Sequence, residues 1–544
     1  MPRSLSRRLD AALLVLTGIF LLSAAASAAA AETLPTATVP VDLATANPDS
    51  ALNAVLRALP GEPIGLEALV EAADTQAVAT RLADNNLAAA LGTLRSERGV
   101  FDPELFGGAT WSGSDQPSAS LFAGAPVVET ETAALEAGAR MTLPIGTELS
   151  ASLSTVRSVT NSSYAALSPE YQTFGALSVR QPLLKGFGPA SRAELRAAER
   201  GAAAASALSQ AARQAVAAEV EAEYWELYAG ERDLAVATLI RDRAQVFLDE
   251  TKLRARAGLV GPSQTASAEV FLAEQEQIVL DSDDQLERRS DRLASLVGRR
   301  PAGGQTRFRS ADEPPVRPLT MPVEELLEAA IANNPELQAL AEQQAAAQAR
   351  FDGARWDARP RVDVFGGLGG YGLSGTAQDV IFPGSPDTIR YDVSDGFGPG
   401  WAQVRDRDYP WWNAGLVVSV PIGGRSGGGE ADRNEAEVAR AGNLLDGARR
   451  RLEEQVRAQQ RELERGARRL ELARVGVEAS IRQVEIGMIE YRNGRTTAFE
   501  VVRLAADLAG AQQRYSQALV RTARAAAALT QLTGGWYRPA AERE

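Results

Sequence analysis

Residues 256–274 read RAGLVGPSQTASAEVFLAE and residues 492–508 read RNGRTTAFEVVRLAADL; superposed, each is a glycine turn followed by an apolar-periodic helix. Gly258 and Gly494 lie 236 residues apart, and so do Gly298 and Gly534, which close LASLVG and LTQLTG. Upstream at the same offset Val220 meets Val456, Leu227 meets Leu463 and Leu234 meets Leu470. A single offset held over this span marks an internal repeat, which takes precedence over any local reading. The first repeat is placed at 32–300 and the second at 322–544, joined by the Pro/Gly-rich linker PAGGQTRFRSADEPPVRPLTM (301–321).

Around these turns, both halves show the same order of parts. A helix opens each, at 66–98 and at 322–356. Glycine- and aromatic-rich segments of alternating polarity come after it, and these read as strands. They are ELFGGATW, ALEAGARMTLPIGTELSASLST and TFGALSVRQPLL in the first half, and RVDVFGGLGGYGL and NAGLVVSVPI in the second. Pro182 and Pro421 close the strands, and GFGP and GGRSGGG are turn sequences. Helical tracts free of internal proline come next, Pro189 to Arg256 and 430–492, with Pro189 suited to a first helical turn. At 1.5 Å per residue each makes a rod of about 100 Å, coiled-coil in length. Return helices at 263–297 and 497–533 complete each half.

Composition removes most other functions. The 544 residues are 45% hydrophobic and carry a net charge of −13, which argues against a nucleic-acid partner. With no Cys and no His there is no thiol nucleophile, disulfide, imidazole base or His- or Cys-ligated metal, and no cofactor is expected. The two lysines, Lys185 and Lys252, sit in no Schiff-base or phosphate-loop motif. The match Gly424-Arg425-Ser426-Gly427-Gly428 to a nucleophile elbow lacks a histidine to activate the serine. Gly367 to Gly372 fits G-x-G-x-x-G but opens no helix, and Asp281, Asp283 and Asp284 lack the glycine and terminal Glu of a calcium loop. No enzyme is expected.

Arg3, Arg7 and Arg8, an apolar run from Ala11 to Leu22 and then SAAASAAAAE describe a secretory signal over 1–31. No later run is long and apolar enough for a transmembrane helix, so a membrane form requires strands closed into a barrel. About four strands per chain cannot close alone. Two chains would give eight strands around a filled interior; three would give twelve and a lumen. The alternating segment 135–156 falls outside this count, as a hairpin beyond the membrane or part of a longer strand. Tyr409, Trp411 and Trp412 suit an interfacial aromatic girdle or packing beneath the 376–410 loop.

Together the repeat, the QPLLKGFG passage (Gln181 to Gly188), the AGLV turn (Ala257 to Val260) and the YRNGRTT turn (Tyr491 to Thr497) resemble the TolC-like outer-membrane efflux proteins. The resemblance implies an α+β homotrimeric channel-tunnel, a shared 12-stranded barrel continued by an α-helical coiled-coil barrel through the periplasm. It implies an export duct of a tripartite efflux or type I secretion system, working with a periplasmic adaptor (membrane fusion) protein and an inner-membrane transporter. It also places a periplasmic gate at Gln264, Tyr491, Arg495, Glu500 and Arg503. Glu500 falls at a constriction carboxylate. Gln264 replaces the usual acidic partner of Arg495, and Arg503 replaces a usual second acid. As a plain alternative, Glu500 and Arg503 form an i,i+3 surface pair. Adaptor contact is implied at Ala257, Gly258, Leu259, Val260, Asn493, Gly494 and Thr496. The runner-up of another class is a secreted or surface coiled-coil adhesion protein.

Overall fold

Six strands form one antiparallel sheet, where four were expected. They are β2 (Glu104–Pro117), β3 (Val127–Thr142), β4 (Glu148–Thr160), β5 (Leu167–Pro182), β7 (Arg361–Ala377) and β10 (Tyr409–Ser419). Their order across the sheet is β10-β7-β5-β4-β3-β2. The segment 135–156 is the heart of the β3–β4 hairpin, which lies inside the sheet between β2 and β5. One face of β4 is Ser150, Ser152 and Ser154 and the other Leu149, Ala151 and Leu153, which is the alternation read from the sequence.

This computed structural model describes residues 48–314, 319–382, 387–493 and 495–538. The expected leader lies outside the described residues, as do Gly494 and parts of the 301–321 and 376–410 segments. The chain divides into a unit ending at Ala51 and a unit from Leu52 onward. Of the first, only the opening turn of α1 (Pro48–Ala58) is described; the sheet and the long helices all belong to the second.

The Pro-free tracts are α4 (Ala193–Arg256) and α9 (Arg425–Arg492), of 64 and 68 residues, or about 100 Å each. Their starts differ from expectation. Gly186 and Gly188 turn the chain at positive φ, so Pro189 precedes α4 instead of opening it. Conversely, the glycines at 427–429 lie within the first turns of α9. The return helices are α5 (Pro262–Val297) and α10 (Ala498–Leu532). Each opening helix is broken in two. α2 (Leu66–Gln76) and α3 (Val78–Gly99) part at Ala77, where ψ is 137°. α6 (Val323–Asn333) and α7 (Pro335–Asp357) part at Asn334, whose side chain caps α7 by accepting from the Leu337 amide. The loop before β10 holds the two-residue ladder β8 (Val380–Ile381) with β9 (Thr388–Ile389), and α8 (Gly398–Asp406).

Of the four hydrophobic cores among the described residues, the two largest correspond, with residues 236 apart in matching places. Val220, Leu227 and Leu293 are fully buried with Leu69 and Ala73 of α2; Val456, Leu463 and Leu529 are buried with Leu326 and Ala330 of α6. Each of these valines and leucines contributes about 1.5–3 kcal/mol through apolar area removed from water. Close approach of long and return helices uses glycine at the same offset. A Cβ at Gly230 would meet Leu286 at 3.3 Å, and one at Gly466 would meet the Thr522 hydroxyl at 2.6 Å.

The 301–321 segment contributes β6 (Phe308–Ser310), which pairs in parallel with β1 (Glu62–Ile64). Phe308 is buried there, and the Ser310 amide donates to the Glu231 carboxylate at 2.7 Å. Burial pushes the Glu231 carboxyl up to about 7 from 4.5, against the lowering effect of the Ser310 hydrogen bonds. The folded state therefore holds this proton longer than the unfolded one. The associated stability is full below about pH 4.5, declines as pH rises, and is gone above about 7. Glu231→Gln should remove that decline, a relative gain on the order of 3 kcal/mol at pH 8 over pH 4. Thermal midpoints of the two proteins across this range check it; parallel curves would contradict the assignment.

Candidate functional site

Period-2 alternation sorts the sheet into two unlike faces, because directly paired residues share a face. One face carries Leu105, Trp111, Leu135, Leu153, Leu177, Leu368, Trp412 and Leu416, all exposed, with Ala133, Ala137 and Ala139 between them. The other carries Ser150, Ser152, Ser154, Thr110, Thr132 and Asn413. At the end of the sheet nearest α4, this polar face has an ion cluster. Asp363, with its side chain 2% exposed, accepts from Arg180 at 2.7 Å and from Arg361 at 2.6 Å, while Arg180 also binds Glu148 at 2.9 Å. On β2 and β3, Arg140 pairs with Glu104 at 2.7 Å. The expected girdle divides between the faces: Trp412 stands among the leucines, whereas Trp411 packs edge-on against Phe174 on the polar face. Among the described residues no helix is long and apolar enough to cross a membrane.

At the far ends of the helices, two turns are built alike. After α4, Gly258 adopts φ 73°, a left-handed conformation that costs glycine little. The Gly258 amide then donates to the Ala255 carbonyl at 3.0 Å, and the Leu259 amide to Arg254 at 2.9 Å, which is a Schellman turn. After α9, the Arg495 amide donates to the Glu490 carbonyl at 2.9 Å, the same bond 236 residues on. Leu259 and its neighbours Ala257 and Gly258 are exposed, and Val260 is half-buried; Asn493 is the C-cap of α9, and Thr496 is half-buried.

The two turns lie side by side. Arg254 of α4 donates to the Tyr491 hydroxyl of α9 at 3.1 Å, and its guanidinium lies 5.6 Å from the Tyr491 ring centroid. Glu500 is bonded to Arg503 at 3.1 Å through Nε and again through Nη2. The Arg503 guanidinium holds the Glu500 carboxyl below its ordinary value. Thr497 caps α10 by accepting from the Glu500 amide at 3.3 Å, half of a capping box. Gln264, exposed at the start of α5, stands in the corresponding place one offset earlier. Within the chain, Gln264 and Arg495 are not joined; the tyrosine finds Arg254 instead. That arginine sits 237 residues from its partner, and only its place in the last turn before AGLV hinted at a role.

The chain is thus an α+β protein in which a sheet with an apolar band on one face stands on paired helices about 100 Å long. Residues 326–535 match the family described as outer membrane efflux protein. No curated protein matches the chain in sequence. In fold it is similar to the outer membrane protein VceC of Vibrio cholerae, with a TM-score of 0.59 and 17% identity over 87% of this chain and 97% of that one. The CmeC outer membrane channel of Campylobacter jejuni gives 0.60 and 13% over 87% and 86%. The open state of the MtrE outer membrane channel of Neisseria gonorrhoeae gives 0.57 and 16% over 86% and 89%. The resemblance to TolC-like outer-membrane efflux proteins therefore holds, through the family match in the second half and through the fold over most of the chain.

Proposed function

We propose that the chain is the outer-membrane export duct of a tripartite efflux or type I secretion system, with no chemistry of its own. The apolar face of the six-stranded sheet carries this reading. A face lined with exposed leucine and tryptophan suits lipid; the polar face behind it suits a water-filled lumen. Both outer strands, β2 and β10, have a free edge, and an open edge in lipid is prohibitive, so the sheet closes with copies of itself, three in number by the resemblance to the TolC-like proteins. The helices continue the tube into the periplasm. Their tips, Ala257 to Val260 and Asn493 to Thr496, meet a periplasmic adaptor and, through it, an inner-membrane transporter. The matching cores and turns at an offset of 236 support two structural repeats.

Protease added to intact cells tests the placement. Cleavage should be confined to the loops at 118–126, 161–166 and 378–408, on the side of the sheet away from the helices. Cutting throughout the helices would instead support a surface adhesion protein.

The tip serves as the gate, with Arg254 holding Tyr491 and the Glu500–Arg503 pair set in the throat. Removing one carboxylate from each of three copies should weaken block by divalent cations. For Glu500→Ala we expect about a fivefold rise in the blocking concentration, equivalent to a Coulomb contact of about 1 kcal/mol in high dielectric. Single-channel recordings with calcium or magnesium check this; unchanged block returns Glu500 to a helix-capping surface pair.

A further inference from the structure

We propose that the β3–β4 hairpin, residues 127–160, is part of the membrane barrel, so that the trimer closes eighteen strands instead of twelve around a correspondingly wider lumen. The inference rests on the export-duct reading and concerns only how wide that duct is in the outer membrane.

The hairpin is laddered on both sides along most of its length. β3 pairs with β2 from Glu104/Arg140 to Pro117/Val127, and β4 pairs with β5 from Glu148/Arg180 to Ser158/Glu170. Its outward face continues the apolar band without a gap, through Met141, Ala139, Ala137, Leu135 and Ala133 on β3 and Leu149, Ala151 and Leu153 on β4. Its inward face is polar, with Ser150, Ser152 and Ser154 beside the charged Glu136, Arg140 and Glu148, as the wall of a water-filled lumen can be. The hairpin turn lies at the helix end of the sheet, where the Gly188 amide donates to the Ile145 carbonyl at 3.4 Å. A hairpin beyond the membrane would have neither the band nor this position.

The height of the band supports one continuous wall. On β7 the apolar run is Val362 to Leu368; on β2 it is Leu105 to Trp111, and across the ladder Leu105 lies level with Leu368. The run on β2 therefore begins where that on β7 ends. A displacement of six residues is about 20 Å along the strand, accumulated over four strand spacings of about 4.8 Å. That is a tilt of about 45°, at the upper end of the range for membrane barrels. A flat band on tilted strands has to step in this way, and it steps through β4 and β3 without a break.

Parity allows the insertion. Six strands leave β2 and β10 running in opposite directions, so β2 of one copy meets β10 of the next in the antiparallel sense, as four strands would also ensure. Three six-stranded sheets make eighteen strands. Diameter grows roughly linearly with strand number, so the barrel should be about 1.5-fold wider than a twelve-stranded one.

Electron microscopy of the full-length trimer in lipid nanodiscs counts the strands directly. Eighteen are expected; twelve, with the hairpin outside the wall, overturns the proposal. A variant lacking residues 127–160 preserves strand direction and joins β2 to β5. The largest neutral polymer admitted from the extracellular side should be about 1.5-fold narrower in radius for this variant than for the wild type. Equal exclusion radii also overturn the proposal, and if the variant fails to fold the strand count still decides. A chain that neither trimerises nor inserts would instead sink the export-duct reading itself.

Discussion

Leu177→Arg should all but abolish the inserted trimer, while Ser178→Arg, one residue along the same strand, should leave it near the wild-type level. Leu177 stands on the apolar face of β5 and is 64% exposed in the single chain, surrounded by Ala151, Leu153 and Leu368. In lipid an arginine there costs about 2–4 kcal/mol at the bilayer midplane, in each of three copies. One such penalty reduces a folded population by a factor of about 30 to 1,000. Ser178 points to the polar face, where it shares a 2.6 Å hydrogen bond with Ser150 in an exposed setting. Losing that bond costs no more than about 1 kcal/mol, and the guanidinium can reach water. The amount of heat-resistant trimer in outer-membrane fractions measures both variants. Equal loss in the two would mean that the faces have been assigned the wrong way round.

A second large effect is expected at Tyr224, fully buried in the core between α2, α4 and the β1/β6 pair. Its hydroxyl accepts from the amides of Ala311 at 3.0 Å and Asp312 at 2.9 Å, and donates to the Ile64 carbonyl at 3.1 Å. Three chain segments are therefore tied at one oxygen. Tyr224→Ala should cost about 3–5 kcal/mol through the cavity alone, and more through the two amides left without a partner. Tyr224→Phe isolates the polar part at about 1–3 kcal/mol. Chemical denaturation of the purified protein reads both. A Phe variant as stable as wild type would show that water replaces the hydroxyl.

Much of this architecture was legible because its signals are long. Tracts of more than 60 residues without proline, with Val220, Leu227 and Leu234 matched by Val456, Leu463 and Leu470, leave little choice but two long, similarly packed helices; all six side chains are buried. Short signals were less readable. The serines at 150, 152 and 154 left the place of the 135–156 segment open between a hairpin beyond the membrane and part of a longer strand, since alternation alone marks a strand but not where it pairs. The split at Asn334–Pro335 is written in its cap, whereas the split at Ala77 has no side-chain cap at all. Glycines 427–429 read as a turn from propensity, yet they continue a helix whose start is set at Gly424. The Glu500–Arg503 pair follows from helical spacing. The bond between Arg254 and Tyr491 does not, because it depends on two turns being brought together by about 100 Å of helix packing upstream.

Everything proposed for the gate, the tips and the barrel depends on this chain conducting across the outer membrane. Single-channel recording of the purified mature trimer in planar lipid bilayers should show steady, long-lived conductance steps that divalent cations block from the helix-tip side only. Trimeric protein shown to be inserted in the bilayer, yet giving no conductance at any potential or salt concentration, would contradict the duct.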